Sequence, residues 1–165
     1  MKTKEIIALS PLIEYISAPN SHLYLWVTNN FLQDGLDVMR AWGYRYVTKI
    51  TWFKDGNIGL GQYYRGVTED CLFGVKGQIP YKILDGKRQQ GLTGFHESKA
   101  AHSAKPCKMR EMIEKVSYGP FVEIFARPKE VEDIFAEEND WSYIGNQVDG
   151  QDIKVLASKI QTMGL

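Results

Sequence analysis

Residues 22–53, HLYLWVTNNFLQDGLDVMRAWGYRYVTKITWF, decide the fold. His22 to Thr28 is nearly continuous in apolar and β-branched side chains, the pattern of a strand covered on both faces. Phe31, Leu32, Leu36, Met39 and Trp42 then recur at helical intervals. Asn29 or Asn30 is available to cap that helix, and Gly43 falls where a helix stops. Tyr44 to Phe53 is rich in β-formers and reads as the next strand. Strand, capped helix, glycine stop and strand together make a β-α-β unit.

The pattern extends outward on both sides. Before it, Lys4 to Ser17 carries apolar residues at helical spacing, interrupted by Pro11. After it, Lys54 to Gly66 holds several glycines and no periodicity, so it reads as a loop of functional length. Glu69 to Val75 is a further strand. The polar, basic stretch from Gly77 to Ala101 is either a long loop or a β-excursion near Ile79 to Leu84. Pro106 suits the first turn of a helix over Met109 to Val116. A buried strand at Phe121 to Ala126, an acidic helical stretch at Lys129 to Asn139, a short strand at Trp141 to Ile144 and a helix at Asp152 to Thr162 complete the order. Alternating strands and helices predict an α/β fold: one domain over residues 1–165, with a mainly parallel sheet and helices on both faces.

Composition narrows the function. The 165 residues carry 20 Lys plus Arg against 20 Asp plus Glu, so no global field draws the chain to nucleic acid. A polynucleotide would be gripped locally, and the basic stretch around Lys87 and Arg88 is the candidate surface. Cys71 and Cys107 are far apart and lack CxxC spacing, and His22, His96 and His102 are dispersed. No metal site and no disulfide is expected. No apolar run reaches the ~20 residues of a membrane span, and no secretory signal opens the chain. The expectation is a soluble, cytoplasmic protein.

In parallel α/β sheets ligands bind beyond the carboxyl ends of the strands. That rule selects Thr28-Asn29-Asn30, Lys54 onward, Lys76, Glu123 to Arg127, and Gly145-Asn146-Gln147. Glu123, in an otherwise apolar strand, needs a partner: either Arg127 or a lysine, or the hydroxyl or amine of a ligand. The Asn146 and Gln147 amides suit a purine edge or a ribose, and equally a simple turn. Gly59-Leu60-Gly61 lacks the third glycine and the helix of a phosphate loop. Tyr63, Tyr64 and Arg65 could stack a base and hold a phosphate, or merely anchor a surface loop. His102 and Ser103 have no nucleophile elbow beside them, and their generic role is to cap the helix that Pro106 begins.

In combination these strings resemble the MT-A70 family of S-adenosylmethionine-dependent adenine-N6 methyltransferases. The resemblance runs through HLYLWVTNNFL, VMRAWGYRYVTKITWFKDG, YRGVTEDCLFGVKG, HSAKP, FVEIFARP and the Trp141-Ser-Tyr-Ile-Gly-Asn-Gln block, roughly Ile6 to Gly150. It implies a Rossmann-like methyltransferase sheet. It implies that Lys54, Glu123, Arg127, Asn146 and Gln147 hold S-adenosylmethionine. It implies that Tyr63, Arg65, Glu69, His102, Ser103 and Lys105 flank the opening to the target adenine. The substrate implied is a nucleic acid, DNA ahead of RNA for so small a protein, with self- or hetero-association open. Two departures matter. The family's Asp-Pro-Pro-Trp, which anchors the target amino group, does not occur in these residues, so the sheet is expected to be N-terminally incomplete and the catalytic residues are unassigned. Lys129-Glu130 stands where relatives carry polar residues that touch the ribose. The alternatives are thus a truncated or inactive methyltransferase and a non-catalytic nucleic-acid-binding or scaffolding partner of an active one.

Overall fold

Strand β1 runs over Ser21–Val27, and helix α3 over Leu32–Ala41 leads back from it to β2, Arg45–Asp55. These three elements are the β-α-β unit read from the sequence. In the computed structural model, residues 1–56, 58–78, 81–98, 105–126, 140–145 and 152–162 are described. Helix α1 spans Thr3–Ile7 and α2 Ser10–Ile16, so the break expected at Pro11 falls just before it, and Pro11 opens α2. Strand β3 is Thr68–Lys76, β4 Ile83–Leu84, β5 Lys87–Arg88 and β6 Gly94–Ser98; helix α4 is Cys107–Val116. Strands β7 (Phe121–Ile124) and β8 (Trp141–Ile144) and helix α5 (Ile153–Thr162) follow.

The chain divides into two compact units, one of Met1–Ile7 with Ser17–Ser117, the other of Ala8–Ile16 with Tyr118–Leu165. The first is built on a four-stranded sheet in the order β1-β3-β2-β6. Here the expectation of a mainly parallel sheet gives way to a mixed one. β3 lies antiparallel to both β1 and β2, and only β2 and β6 pair in parallel. The reason is topological. The connection from β2 to β3 holds no helix, so the chain turns back on itself and β3 slots between β1 and β2, splitting the β-α-β unit. β1, β2 and β6 still point the same way, so their carboxyl ends share one edge.

Helix α3 ends as its glycine predicts. Gly43 adopts φ of +80°, its N–H donates to Arg40 O, and Tyr44 N–H donates to Met39 O, the paired bonds of a Schellman stop. Its start differs from expectation: Asn29 and Asn30 lie in a 3-10 turn, Asn29–Phe31, and no side chain caps the helix. α3 packs on the sheet through Gly35, Val38 and Met39. Leu72 is buried on that face of the sheet and Trp52, Cys71, Val75 and Phe95 on the other, each large apolar side chain contributing about 1.5–3 kcal/mol. Trp42 is buried too and donates its indole N–H to Ile6 O, which ties α1 to α3.

Of the two readings of the basic stretch, the β-excursion near Ile79 to Leu84 holds at β4, Ile83–Leu84, whereas β5 and β6 were not foreseen. β4 and β5 form a hairpin whose turn residues Asp85 and Gly86 both have positive φ, 50° and 71°. Asp-Gly between short extended segments is the local signal for that turn, and it stood in the sequence. β6 was hidden in a polar stretch because only Phe95 of its residues is buried.

In the second unit β7 and β8 pair in parallel with Phe121 opposite Trp141 and Glu123 opposite Tyr143. Phe121 and Trp141 stack at 4.9 Å between ring centres. Helices α2 and α5 pack together, with Leu12, Ile13, Ile153, Ala157 and Ile160 buried. Strand β8 and the last helix lie where the sequence pattern put them.

Candidate functional site

At the shared edge of the first unit's sheet, one face gathers a charged cluster. β2 alternates its side chains, so Trp52 and Lys54 face the same way. Glu69 at the start of β3 is paired with Trp52, and Trp26 near the end of β1 is paired with Cys71, which puts all of them on that face. Glu69 Oε1 accepts from Lys54 Nζ at 3.1 Å and Oε2 from Lys105 Nζ at 2.9 Å. Lys105 stands just ahead of α4.

Each ammonium also rests on an indole. Lys54 Nζ lies 5.3 Å from the Trp52 ring and Lys105 Nζ 4.6 Å from the Trp26 ring. The two indoles meet edge to face, with centres 6.1 Å apart. Cation–π contacts of this kind stabilise a charge without neutralising it. Burial pushes the Glu69 carboxyl up, but the hydrogen bonds and charges of Lys105 and Lys54 outweigh it and hold the group below its ordinary range. Cys71 beneath the cluster is a different case. Burial dominates, raising its thiol far above the usual range despite the pull of Lys105, so it is an inert core group.

Chemically, one carboxylate shared by two ammoniums leaves a surplus positive charge on an aromatic floor. Such a surface suits a carboxylate or phosphate oxygen attached to a planar, electron-poor group. On the opposite face Asp70, buried, accepts from Lys49 Nζ and Thr51 Oγ1, each at 2.7 Å. That arrangement is structural: its acceptors are already filled from its own sheet. Among the described residues, no group of three or more His, Cys, Asp or Glu side chains is placed to hold a metal ion. Among the described residues, no helix is long and apolar enough to cross a membrane.

The sequence-predicted residues divide accordingly. Lys54, Glu69 and Lys105 are brought together, although the resemblance implies the cofactor for the first and the substrate side for the other two. Arg65 braces its own loop: its Nε donates to Gly59 O at 3.0 Å and its Nη2 to Ile58 O at 3.4 Å. Tyr63 and Tyr64, by contrast, are more than nine-tenths exposed. Glu123 is half-buried on β7 in the second unit. Arg127, Asn146, Gln147, His102 and Ser103 lie outside the described residues, as does the acidic stretch of residues 129–139. The tryptophans were missed, although Trp52 and Lys54 at i and i+2 on a strand end were a legible sign that the lysine shares a face with an indole.

The family model MT-A70 matches residues 1–147. The chain belongs to the MT-A70 family. It is 32% identical over 136 residues to the human N(6)-adenosine-methyltransferase catalytic subunit METTL3, covering 78% of this chain and 22% of that protein. The MT-A70-like N(6)-adenosine-methyltransferase of Drosophila melanogaster is 29% identical over 136 residues, 78% of this chain and 21% of the fly protein. That of Arabidopsis thaliana is 26% identical over the same length, 78% of this chain and 18% of the plant protein. The chain thus spans about a fifth of the length of the curated relatives it matches. The lysine–glutamate cluster lies within the part that matches the MT-A70 model.

Proposed function

We propose that this MT-A70 chain is a methyltransferase domain that binds S-adenosylmethionine and serves methyl transfer to the N6 nitrogen of adenine in a nucleic acid. The observation that carries the reading is Glu69 held between Lys54 and Lys105 over Trp26 and Trp52, at the carboxyl edge of β1 and β2, in a chain of this family. The residues fit the cofactor's charge. Lys54 and Lys105 against one carboxylate leave one positive charge in excess, which complements an amino-acid carboxylate, and the same surplus complements a phosphate of the substrate.

When bound, S-adenosylmethionine supplies a methyl group activated by its sulfonium. The protein's part is positioning and the exclusion of water. In this reading Lys54 and Lys105 orient an anionic oxygen, and Glu69 fixes both ammoniums so that little ordering is left for the ligand. Trp26 and Trp52 keep water from beneath the pair. Glu123, Arg127, Asn146 and Gln147 remain proposed cofactor contacts, with Tyr63, His102 and Ser103 at the substrate side. Arg65 acts there through the loop it braces. The group that accepts hydrogen bonds from the target amine stays unassigned, because Asp-Pro-Pro-Trp does not occur in these residues. Turnover by this chain alone is therefore expected to be slow.

DNA and RNA are both candidate polymers, and the adenosine in the relatives' names favours RNA. The deciding experiment is titration calorimetry with S-adenosylmethionine, followed by transfer of a labelled methyl group to adenine-containing DNA and RNA oligonucleotides, single-stranded and duplex. Cofactor binding that weakens in Lys105→Ala, with slow label transfer to N6 of one polymer, is the expected result. Nucleic-acid binding with no cofactor binding would replace the reading with a scaffolding module.

A further inference from the structure

We infer that Glu97 is a positioning residue, acting through Lys105 on the ligand-facing cluster without joining it. Lys105 precedes α4 by a single residue, and its ammonium can meet Glu69 only if the start of that helix is fixed. The helix supplies no cap of its own. Pro106 occupies the N-cap position, has no side-chain acceptor and makes no capping bond. The first N–H groups of the helix are satisfied from another element. Glu97, on β6, accepts the N–H of Cys107 on one carboxylate oxygen and that of Lys108 on the other, both at 3.1 Å. A carboxylate at a helix N-terminus is favoured twice over, by these two bonds and by the positive end of the helix dipole.

The same residue is tied to the other half of the cluster by its main chain. Glu97 pairs with Lys54 across β2 and β6, and its carbonyl accepts the Trp52 indole N–H at 2.8 Å. Trp52 is the floor beneath Lys54. Glu97 therefore holds the segment that delivers Lys105 by its carboxylate and the indole under Lys54 by its backbone. Substituting the side chain cuts only the first tie, which gives the inference a specific signature.

The test is competitive acetylation of the folded chain with mass-spectrometric readout at each lysine, using exposed Lys2 and Lys4 as internal standards. In the parent protein Lys54 and Lys105 label slowly, because their ammoniums are paired. In Glu97→Ala, Lys105 labelling is expected to rise about five- to tenfold toward the standards, the range that loss of a helix cap implies. Lys54 stays protected. Glu97→Gln keeps an acceptor oxygen and is expected to fall between the two. Unchanged Lys105 labelling in Glu97→Ala overturns the inference. So does a parallel rise at Lys54 and Lys105, which would mean general loosening of the sheet.

The consequence for function rests on the reading of the site proposed above and is measured separately. In a double-mutant cycle on S-adenosylmethionine affinity, Glu97→Ala is expected to weaken binding about fivefold in the parent and to change it little in the Lys105→Ala background. Equal losses in both backgrounds would show that Glu97 does not act through Lys105. If the parent chain binds no S-adenosylmethionine while the labelling pattern holds, the functional reading fails and the positioning role stands.

Discussion

At the scale of single residues the chemistry concentrates in Glu69. Replacing it with Gln leaves two ammoniums over two indoles with no carboxylate between them. A charged hydrogen bond is worth roughly 1.5–3 kcal/mol, and the partial exposure of Lys105 discounts it toward the low end. Urea denaturation at neutral pH is expected to show a loss of about 1 kcal/mol in Glu69→Gln. The pH dependence follows from the direction of the shift. The folded carboxyl titrates below its ordinary value of 4.5, so its contribution is complete above that pH and is lost as pH falls through the lower folded value. The stability gap between parent and Glu69→Gln should therefore close in acid. His22 operates in another window. Its Nδ1 bonds Ser117 Oγ at 2.7 Å, its Nε2 is buried without a partner, and burial lowers its pKa from the ordinary 6.5. The unfolded chain then takes up the proton first, so stability is full above that pH and declines below it. Urea midpoints at pH 8 and pH 5.5 should differ in the parent and converge in His22→Gln; an unchanged difference would remove His22 as the cause. Tyr24, which shares Ser117, is pushed up to about 12 by burial, and its phenolate should be absent from ultraviolet titrations until strongly alkaline pH.

At the scale of elements, Gly35 shows why α3 lies so close to β1. A Cβ placed there would fall 2.3 Å from Val27 Cγ1, well inside contact. Gly35→Ala gains about 1 kcal/mol of helix propensity yet forces the helix off the strand, and overpacking of this kind costs about 1–3 kcal/mol. The expected net is destabilisation, read as a lower melting temperature, and a rise would mean that the helix shifts freely. Elements were legible wherever one side chain pattern set them. The helix stop at Gly43, the strand Trp141–Ile144 and the final helix needed only local information. Strand direction did not yield to the same reading, because whether β3 joins an outer edge or slips between β1 and β2 depends on partners far away in sequence. β6 escaped for a related reason: a strand whose only buried residue is Phe95 has no periodicity to find.

At the scale of the whole molecule, balanced charge forces any polyanion onto local patches. The hairpin of β4 and β5 exposes Lys87 and Arg88, and the Arg88 guanidinium stacks 3.4 Å from the Tyr81 ring centre. Replacing both with Ala should lower the slope of log affinity against log salt by up to about 2 for a nucleic-acid ligand, each phosphate contact contributing roughly 0.7–0.9. An identical slope would take the hairpin out of the contact surface. The site itself was half legible. Lys54 came from its place past a strand end and Glu69 and Lys105 from motif resemblance, but their meeting on one carboxylate required the register of β2 against β3. Trp26 and Trp52 looked like ordinary strand hydrophobics until that register set them beneath the lysines.

The central position of β3 has one more implication. Its adjacent residues Glu69 and Asp70 point to opposite faces and are bound to different lysines: Glu69 to Lys54 and Lys105, Asp70 to Lys49. A slip of one residue would exchange the two carboxylates and strand both sets of cations at once. The strand is locked in phase by electrostatics on its two sides, so its amides should be among the slowest in the sheet to exchange with deuterium.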